Sequence, residues 1–377
     1  MPAYLDFCST TPVDPSVSAV VLHYMETEFG NAGSRTHQYG TKANQAVEEA
    51  RSHLAGGCGA KSDEVLFTSG ATEANNLALL GLGEHAKRTG CRHALALAIE
   101  HKAVLEPLGA LAAAQEIEVE LVPVGERGWV DPGEIADRLR PDTFVVTTMH
   151  ANNETGVVQP LDGIAEVLGG HPAYWHVDAA QTFGKTGGLA EERIDLISVS
   201  GHKLYGPMGV GALVARRRGY ERPPLTPLMF GGGQERGLRP GTVPVPLVAG
   251  LGEACRLALS EQDKRSSACA AERSKATAAF EPLMPVYNGD QDQVLPHVMN
   301  LSIPGLDAEA AMMILKDLVA ISNGSACTSS SYEPSHVLAA MGLAPEHASR
   351  ALRVSWSHEP ALVDWAEVAE RLANALR

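Results

Sequence analysis

Tyr174-Trp175-His176-Val177-Asp178 and, one βα step later, Asp195-Leu196-Ile197-Ser198-Val199-Ser200-Gly201-His202-Lys203 are the stretches whose reading decides the fold. Each is a short apolar run that stops abruptly at polar residues, as a strand buried in a sheet does. Residues 65–67, 94–99 and 144–149 read the same way, and a helix over 71–84 follows the first of them. Strands and helical patterns alternate from about Val65 to Val214, which predicts an α/β fold with a mostly parallel sheet flanked by helices. In such sheets ligands bind outside the carboxyl ends of the strands. The polar clusters lie at those ends: Thr68-Ser69-Gly70-Ala71-Thr72-Glu73, Glu100-His101-Lys102, His150-Ala151-Asn152-Asn153-Glu154, Asp178-Ala179-Ala180-Gln181 and Ser200-Gly201-His202-Lys203.

Beyond Arg216 the texture changes to Pro223-Pro224-Leu225-Thr226-Pro227 and Gly231-Gly232-Gly233, a loop region that marks a domain junction. An Ala-rich amphipathic helix is predicted over 247–280, then short strands near 298–303 and helices to the end, giving a small α+β C-terminal domain. The expected division is a large domain over 15–250 and a small one built from 1–14 and 251–377. The chain has 377 residues, 45% hydrophobic and 20% charged, with 30 Lys+Arg against 45 Asp+Glu and a net charge of −15. That surface repels phosphate backbones over roughly 10 Å at moderate salt, so direct nucleic-acid binding is not expected. No run approaches the ~18 apolar residues of a membrane span, and the start lacks a secretory signal, so the cytoplasm is expected. The six cysteines form no CxxC pair and lie by no histidine cluster, so no metal site is expected. Cys58, Cys91, Cys255 and Cys269 read as packed small hydrophobes.

The turn 68–72 offers backbone N–H groups and a helix dipole to a phosphate, although a capped helix explains such a turn equally well. Asp178 ends an apolar strand, where a carboxylate needs a cationic or hydrogen-bonding partner, and a protonated ring nitrogen would serve. A lysine at a strand's carboxyl end is placed for Schiff-base chemistry. Taken together, a phosphate seat, a ring-nitrogen partner and an imine lysine form the anchor set for pyridoxal phosphate. Cys327 lies in Ser322-Asn323-Gly324-Ser325-Ala326-Cys327-Thr328-Ser329-Ser330-Ser331, all small or polar, which predicts a mobile loop thiol rather than a core residue.

Across almost its whole length the sequence resembles the class V aminotransferases and, within them, the cysteine desulfurases of the NifS/IscS kind. The motifs, in order, are Tyr4-Leu5-Asp6, Thr10-Thr11-Pro12-Val13-Asp14, Phe29-Gly30-Asn31, Ser34-Arg35-Thr36-His37, Thr68 to Glu73, Glu100-His101-Lys102, Asn152-Asn153-Glu154-Thr155-Gly156, His176-Val177-Asp178, Ser200 to Pro207, Gly231 to Gly237 and Ser325-Ala326-Cys327-Thr328-Ser329. The resemblance implies the fold-type I architecture of pyridoxal-phosphate transferases, with a seven-stranded sheet. It implies that Lys203 holds the cofactor as an imine and later moves the substrate Cα proton, that Asp178 keeps the ring nitrogen protonated, that His101 stacks on the ring and shuttles protons, and that Gln181 bonds the phenolic oxygen. Ala71, Thr72, Ser200 and His202 would bind the phosphate. Thr242 would reach in from a neighbouring subunit, which implies a homodimer. Asn153 and Arg353 would hold the carboxylate of L-cysteine, with Asn152 an alternative to Asn153. Cys327 would take the sulfur as a persulfide and hand it to an acceptor protein, in iron-sulfur assembly, tRNA thiolation or DNA phosphorothioation.

The sequence departs from the family pattern at Ala180, where threonine is common, at Gln234 and Pro240 of the glycine-rich loop, and at Trp356-Ser357-His358. These departures, the Ala-rich composition and the loop resemble the DndA branch, which implies sulfur supply for DNA phosphorothioation. Two other readings are a selenocysteine lyase or aminotransferase on the same fold, and a non-catalytic scaffold.

Overall fold

The computed structural model describes residues 1–323, 335–359 and 363–376. In chain order the strands among them are β1 (Ala3–Tyr4), β2 (Val65–Thr68), β3 (His93–Leu97), β4 (Glu118–Val122), β5 (Thr143–Met149), β6 (Tyr174–Asp178), β7 (Leu196–Ser200), β8 (Gly211–Ala215), β9 (Val286–Tyr287), β10 (Val298–Ser302), β11 (Val319–Ala320) and β12 (Ala351–Ser355). Seven form one sheet in the order β2-β8-β7-β6-β5-β3-β4. Only β8 runs against the rest. The carboxyl ends of the other six therefore point to one edge of the molecule.

The period-2 alternation of a strand sends neighbouring side chains to opposite faces. Leu66, Ala94, Val145 and Leu196 pack under the helices Ala71–Gly81 and Lys102–Gln115 on one face. Phe67, Leu95, Val146 and Ile197 pack on the other, with the helices Gln38–Gly57, Leu161–Leu168 and Val245–Ser260. Burial on both faces is why these strands read as continuous apolar runs.

A three-stranded antiparallel sheet, β12-β10-β9, has its own core around Met299, Leu301, Leu352, Val354, Trp356 and Trp365. The N-terminal segment joins the two parts. Leu5 is in the small core, and Thr11 and Asp14 are bonded to the chain around Lys203, Thr11 Oγ1 to the His202 carbonyl at 3.1 Å and Asp14 N–H to the Tyr205 carbonyl at 3.0 Å.

Three expectations need correction. The helix expected over 247–280 is two helices, Val245–Ser260 and Gln262–Phe280, broken at Glu261 (φ −114°, ψ 10°). The first lies so close to the helix Gln38–Gly57 that a Cβ on Gly252 would come within 2.6 Å of Ala50, whereas the second turns its Cys269, Ala276 and Phe280 into the small core. The helix expected over 71–84 ends at Gly81, and a new one runs Gly83–Thr89. Strands β4 and β8 escaped the reading of apolar runs. The half-exposed Glu118 and Glu120 interrupt the apolar pattern of β4, and both bind Arg140 along that sheet edge.

Two histidines are locked neutral in the sheet region. His176 on β6 is fully buried, its ring nitrogens bonded to Thr147 Oγ1 (2.7 Å) and Ser198 Oγ (2.9 Å), and His150 is 2% exposed. Burial pushes both down to about 4. Unfolded histidines titrate near 6.5, so between these values the unfolded chain binds more protons, and their contribution to stability is full above pH 6.5 and lost as pH falls toward 4. The unfolding free energy, and the denaturant midpoint with it, is expected to fall clearly between pH 7 and pH 5, by up to about 2 kcal/mol per histidine as an upper bound. Equal midpoints at the two pH values would contradict this.

Candidate active site

The strand ends enclose a cavity of about 630 Å³. At its floor the turn after β2 enters the helix Ala71–Gly81 through Gly70, whose φ of 157° with ψ of −178° is open to glycine alone. No side chain caps this helix; the Ser69 N–H is taken by Glu73 Oε2 at 2.7 Å, and Ala71 and Thr72 line the cavity. The capped-helix alternative therefore does not describe this turn. A Cβ on Gly211 would fall 2.6 Å from the Gly70 Cα, so glycine at both positions lets β8 approach the turn closely. That approach places Ser200, paired with Gly211, opposite the helix start.

Asp178 ends β6 at 6% exposure. Its Oδ2 accepts from Asn75 Nδ2 at 2.7 Å and its Oδ1 from the Ala180 N–H at 2.9 Å. Lys203 leaves β7 through a single 3-10 turn, and its Nζ donates to the carbonyls of Cys8 and, at 2.6 Å, Ser9. Gln181 Nε2 donates to the Cys8 carbonyl at 3.0 Å, while its buried Oε1 has no partner. His101 starts the helix Lys102–Gln115 and accepts the Ala103 N–H on Nδ1 at 3.0 Å. Burial lowers its pKa against the opposing pull of the Asp178 carboxylate. His202 meets Thr10 Oγ1 at 3.1 Å through Nδ1, and burial with the nearby Lys203 and Lys185 pushes it down to about 4.

Asn153 and Arg353 both line the cavity. Asn152 does not: it is fully buried, its Nδ2 on the Ile99 carbonyl (3.1 Å) and its Oδ1 accepting the N–H groups of Glu154 (2.8 Å) and Thr155 (3.0 Å), so it shapes the turn that presents Asn153. Arg353 is 1% exposed on β12 and donates to the Asn153 carbonyl (3.0 Å), Asp6 Oδ1 (2.6 Å) and Ser9 Oγ (2.8 Å), with its Nε unpartnered. Breaking a buried pair leaves an uncompensated charge, so Arg353→Ala is expected to cost about 3–5 kcal/mol in denaturant unfolding, with Asp6→Asn plus Arg353→Met recovering part of it. A loss below about 1 kcal/mol would show the pair to be dispensable.

Thr242 is exposed and does not line the cavity of its own chain. Its loop is anchored by Glu235, which binds Arg51 (Nη1 to Oε2 2.8 Å) and accepts the Phe67 N–H at 2.8 Å. Cys327 lies outside the described residues. Cys58, Cys255 and Cys269 are buried, and Cys91 is partly exposed.

Asn75 and the Cys8-Ser9-Thr10 segment also line the cavity, and the sequence reading gave them no role. Asn75 stands one helical turn after Ala71, so its spacing was the available signal. The N-terminal segment was marked only by its family motifs, and its place at the cavity depends on a contact across some 190 residues.

The profile of the class-V aminotransferases matches residues 3–359. A cysteine desulfurase IscS of Anaeromyxobacter dehalogenans (strain 2CP-C) is 43% identical over 356 residues, 94% of this chain and 87% of that protein. Among solved structures, DndA from Streptomyces lividans is 52% identical with a TM-score of 0.82, covering 93% of this chain and 98% of that one. SspA in complex with cysteine is 35% identical with a TM-score of 0.81, covering 94% and 98%. Fold and cavity thus define an α/β protein whose site lies at the carboxyl ends of its strands. The chain belongs to the class-V aminotransferase family and, within it, to the cysteine desulfurases.

Proposed function

We propose that this chain is a pyridoxal-phosphate-dependent cysteine desulfurase that converts L-cysteine to L-alanine and passes the sulfur to Cys327 as a persulfide. The observation that carries the reading is the meeting of Lys203, Asp178 and the uncapped helix start at Gly70 in one cavity. The site suits pyridoxal phosphate on its own chemistry. The buried Asp178 carboxylate is bonded to two neutral N–H groups, and Asn75 Oδ1, Gln181 Oε1 and Arg353 Nε are buried polar atoms at the cavity without partners. Such atoms call for a bound group.

In this reading Ala71, Thr72, Ser200 and His202 hold the phosphate, Gln181 the phenolic oxygen and Asp178 a protonated ring nitrogen. His101, which lines the cavity, would pack on the ring and exchange protons with the substrate. When bound, the cofactor supplies an electron sink for the pair left at the substrate Cα. Lys203 Nζ would anchor the cofactor in the resting enzyme and, once the substrate amine had displaced it, would be the free amine that takes the Cα proton and returns a proton to the product. Arg353 and Asn153 orient the substrate carboxylate. The Cys327 thiolate attacks the substrate sulfur, so an S–S bond forms as the C–S bond breaks; L-cysteine plus the thiol become L-alanine plus the persulfide.

The likeness to SspA in complex with cysteine supports the substrate, and with the likeness to DndA the reading extends to delivery of the sulfur to an acceptor protein in the cytoplasm, for DNA phosphorothioation as the motifs imply. No helix among the described residues is long and apolar enough to cross a membrane. The exposed Thr242 and the 89% exposed Phe230 on the same loop support a homodimer in which Thr242 completes the partner's phosphate seat. The test is alanine and sulfide formation from L-cysteine with a reductant present. Equal amounts of both are expected; a pyridoxamine product, or turnover of selenocysteine alone, would overturn the reading.

A further inference from the structure

Glu100 precedes His101 in the turn after β3 and has no exposed surface. Its Oε1 accepts the Met149 N–H, at the carboxyl end of β5, and its Oε2 has no partner. Met149 pairs directly with Asp178 in the β5–β6 register, so the two carboxyl groups share one low-dielectric corner. No cation among the described residues bonds Glu100, and two ionised carboxyls in such a corner would repel. Burial first, and then the Asp178 charge, hold the Glu100 carboxyl well above the usual carboxylate range. Its backbone carbonyl also accepts His336 Nε2 at 2.9 Å, so the turn is pinned at both ends.

We propose that Glu100 is a positioning residue: held as a neutral carboxylic acid, it ties the turn that carries His101 to the end of β5 and leaves Asp178 to carry the negative charge that faces the ring nitrogen. The inference rests on the function proposed above for what His101 and Asp178 do, but its first test does not. The infrared difference spectrum of wild type minus Glu100→Gln at pH 7 is expected to contain the C=O stretch of a protonated carboxylic acid that shifts in deuterium oxide. A carboxylate band in its place would overturn the proposal; if Glu100→Gln does not fold, Glu100→Met supplies the reference spectrum.

The second test uses the holoenzyme. Glu100→Gln, which copies a neutral acid, is expected to keep kcat within about threefold, while Glu100→Ala loses about 10- to 100-fold in kcat as His101 swings out of place, with KM for L-cysteine nearly unchanged. Equal losses in the two variants would show that an ionised carboxylate is what the site needs, and would overturn the positioning role; a Glu100→Met variant that packs but cannot accept the Met149 N–H is expected to lose kcat as Ala does, and its retention of wild-type kcat would overturn the role as well. If no variant, wild type included, turns over L-cysteine, the infrared result stands and the functional reading falls instead.

Discussion

Lys203→Ala is expected to lower alanine formation from L-cysteine by about 10³-fold or more, because one amine serves both as the covalent anchor and as the base that moves the Cα proton. The geometry supports both tasks. Nζ is held by the carbonyls of Cys8 and Ser9 at the end of a one-turn 3-10 helix, so backbone groups help to set its position. The rest of the seat stays intact in the variant: the helix start at Gly70, Asp178 with its Asn75 bond, and Ser200. The variant is therefore expected to bind pyridoxal phosphate without a covalent link, so that borohydride no longer fixes it. Retention of a tenth of the wild-type rate would remove Lys203 from the proposed role.

Cys327→Ser is expected to silence sulfide and alanine formation together, by about 10²-fold or more, while the protein still binds its cofactor. A serine hydroxyl is far less ionised than a thiol at neutral pH and makes no stable link to the departing sulfur. The other cysteines are poorly suited to substitute. Burial pushes Cys58 up to about 12 and Cys269 up to about 11, and raises Cys255 further. Cys8 lines the cavity but packs in a small apolar cluster with Ala151, Leu295 and Val298. Sulfide release from the serine variant, measured against alanine in the same reaction, would sink the persulfide route.

The local residues were enough to find the sheet and the edge at which it works. Asp178 and Lys203 each end a run of apolar residues, and the glycine of Thr68-Ser69-Gly70 stands before a helix; both signals are contained within about ten residues of chain. The break at Glu261 was not legible, because Ser260-Glu261-Gln262-Asp263-Lys264-Arg265 holds neither glycine nor proline and only the two separate cores demand the turn. Strand β4 was hidden for the opposite reason, its alternate glutamates serving an exposed sheet edge.

By itself the sequence determined the α/β order, the strand ends that carry Asp178 and Lys203, and the family to which those motifs belong. Only the tertiary structure decided which of two adjacent asparagines enters the cavity, since neighbours in a turn point opposite ways: Asn152 inward to backbone, Asn153 to the site. It alone decided that Arg353 is balanced by Asp6, that Asn75 holds Asp178, and that Glu100 lies beside a second carboxyl. The physical reason is range. Secondary structure follows from contacts a few residues apart, whereas the charge state and aim of a buried side chain depend on groups that only the folded chain brings within bonding distance.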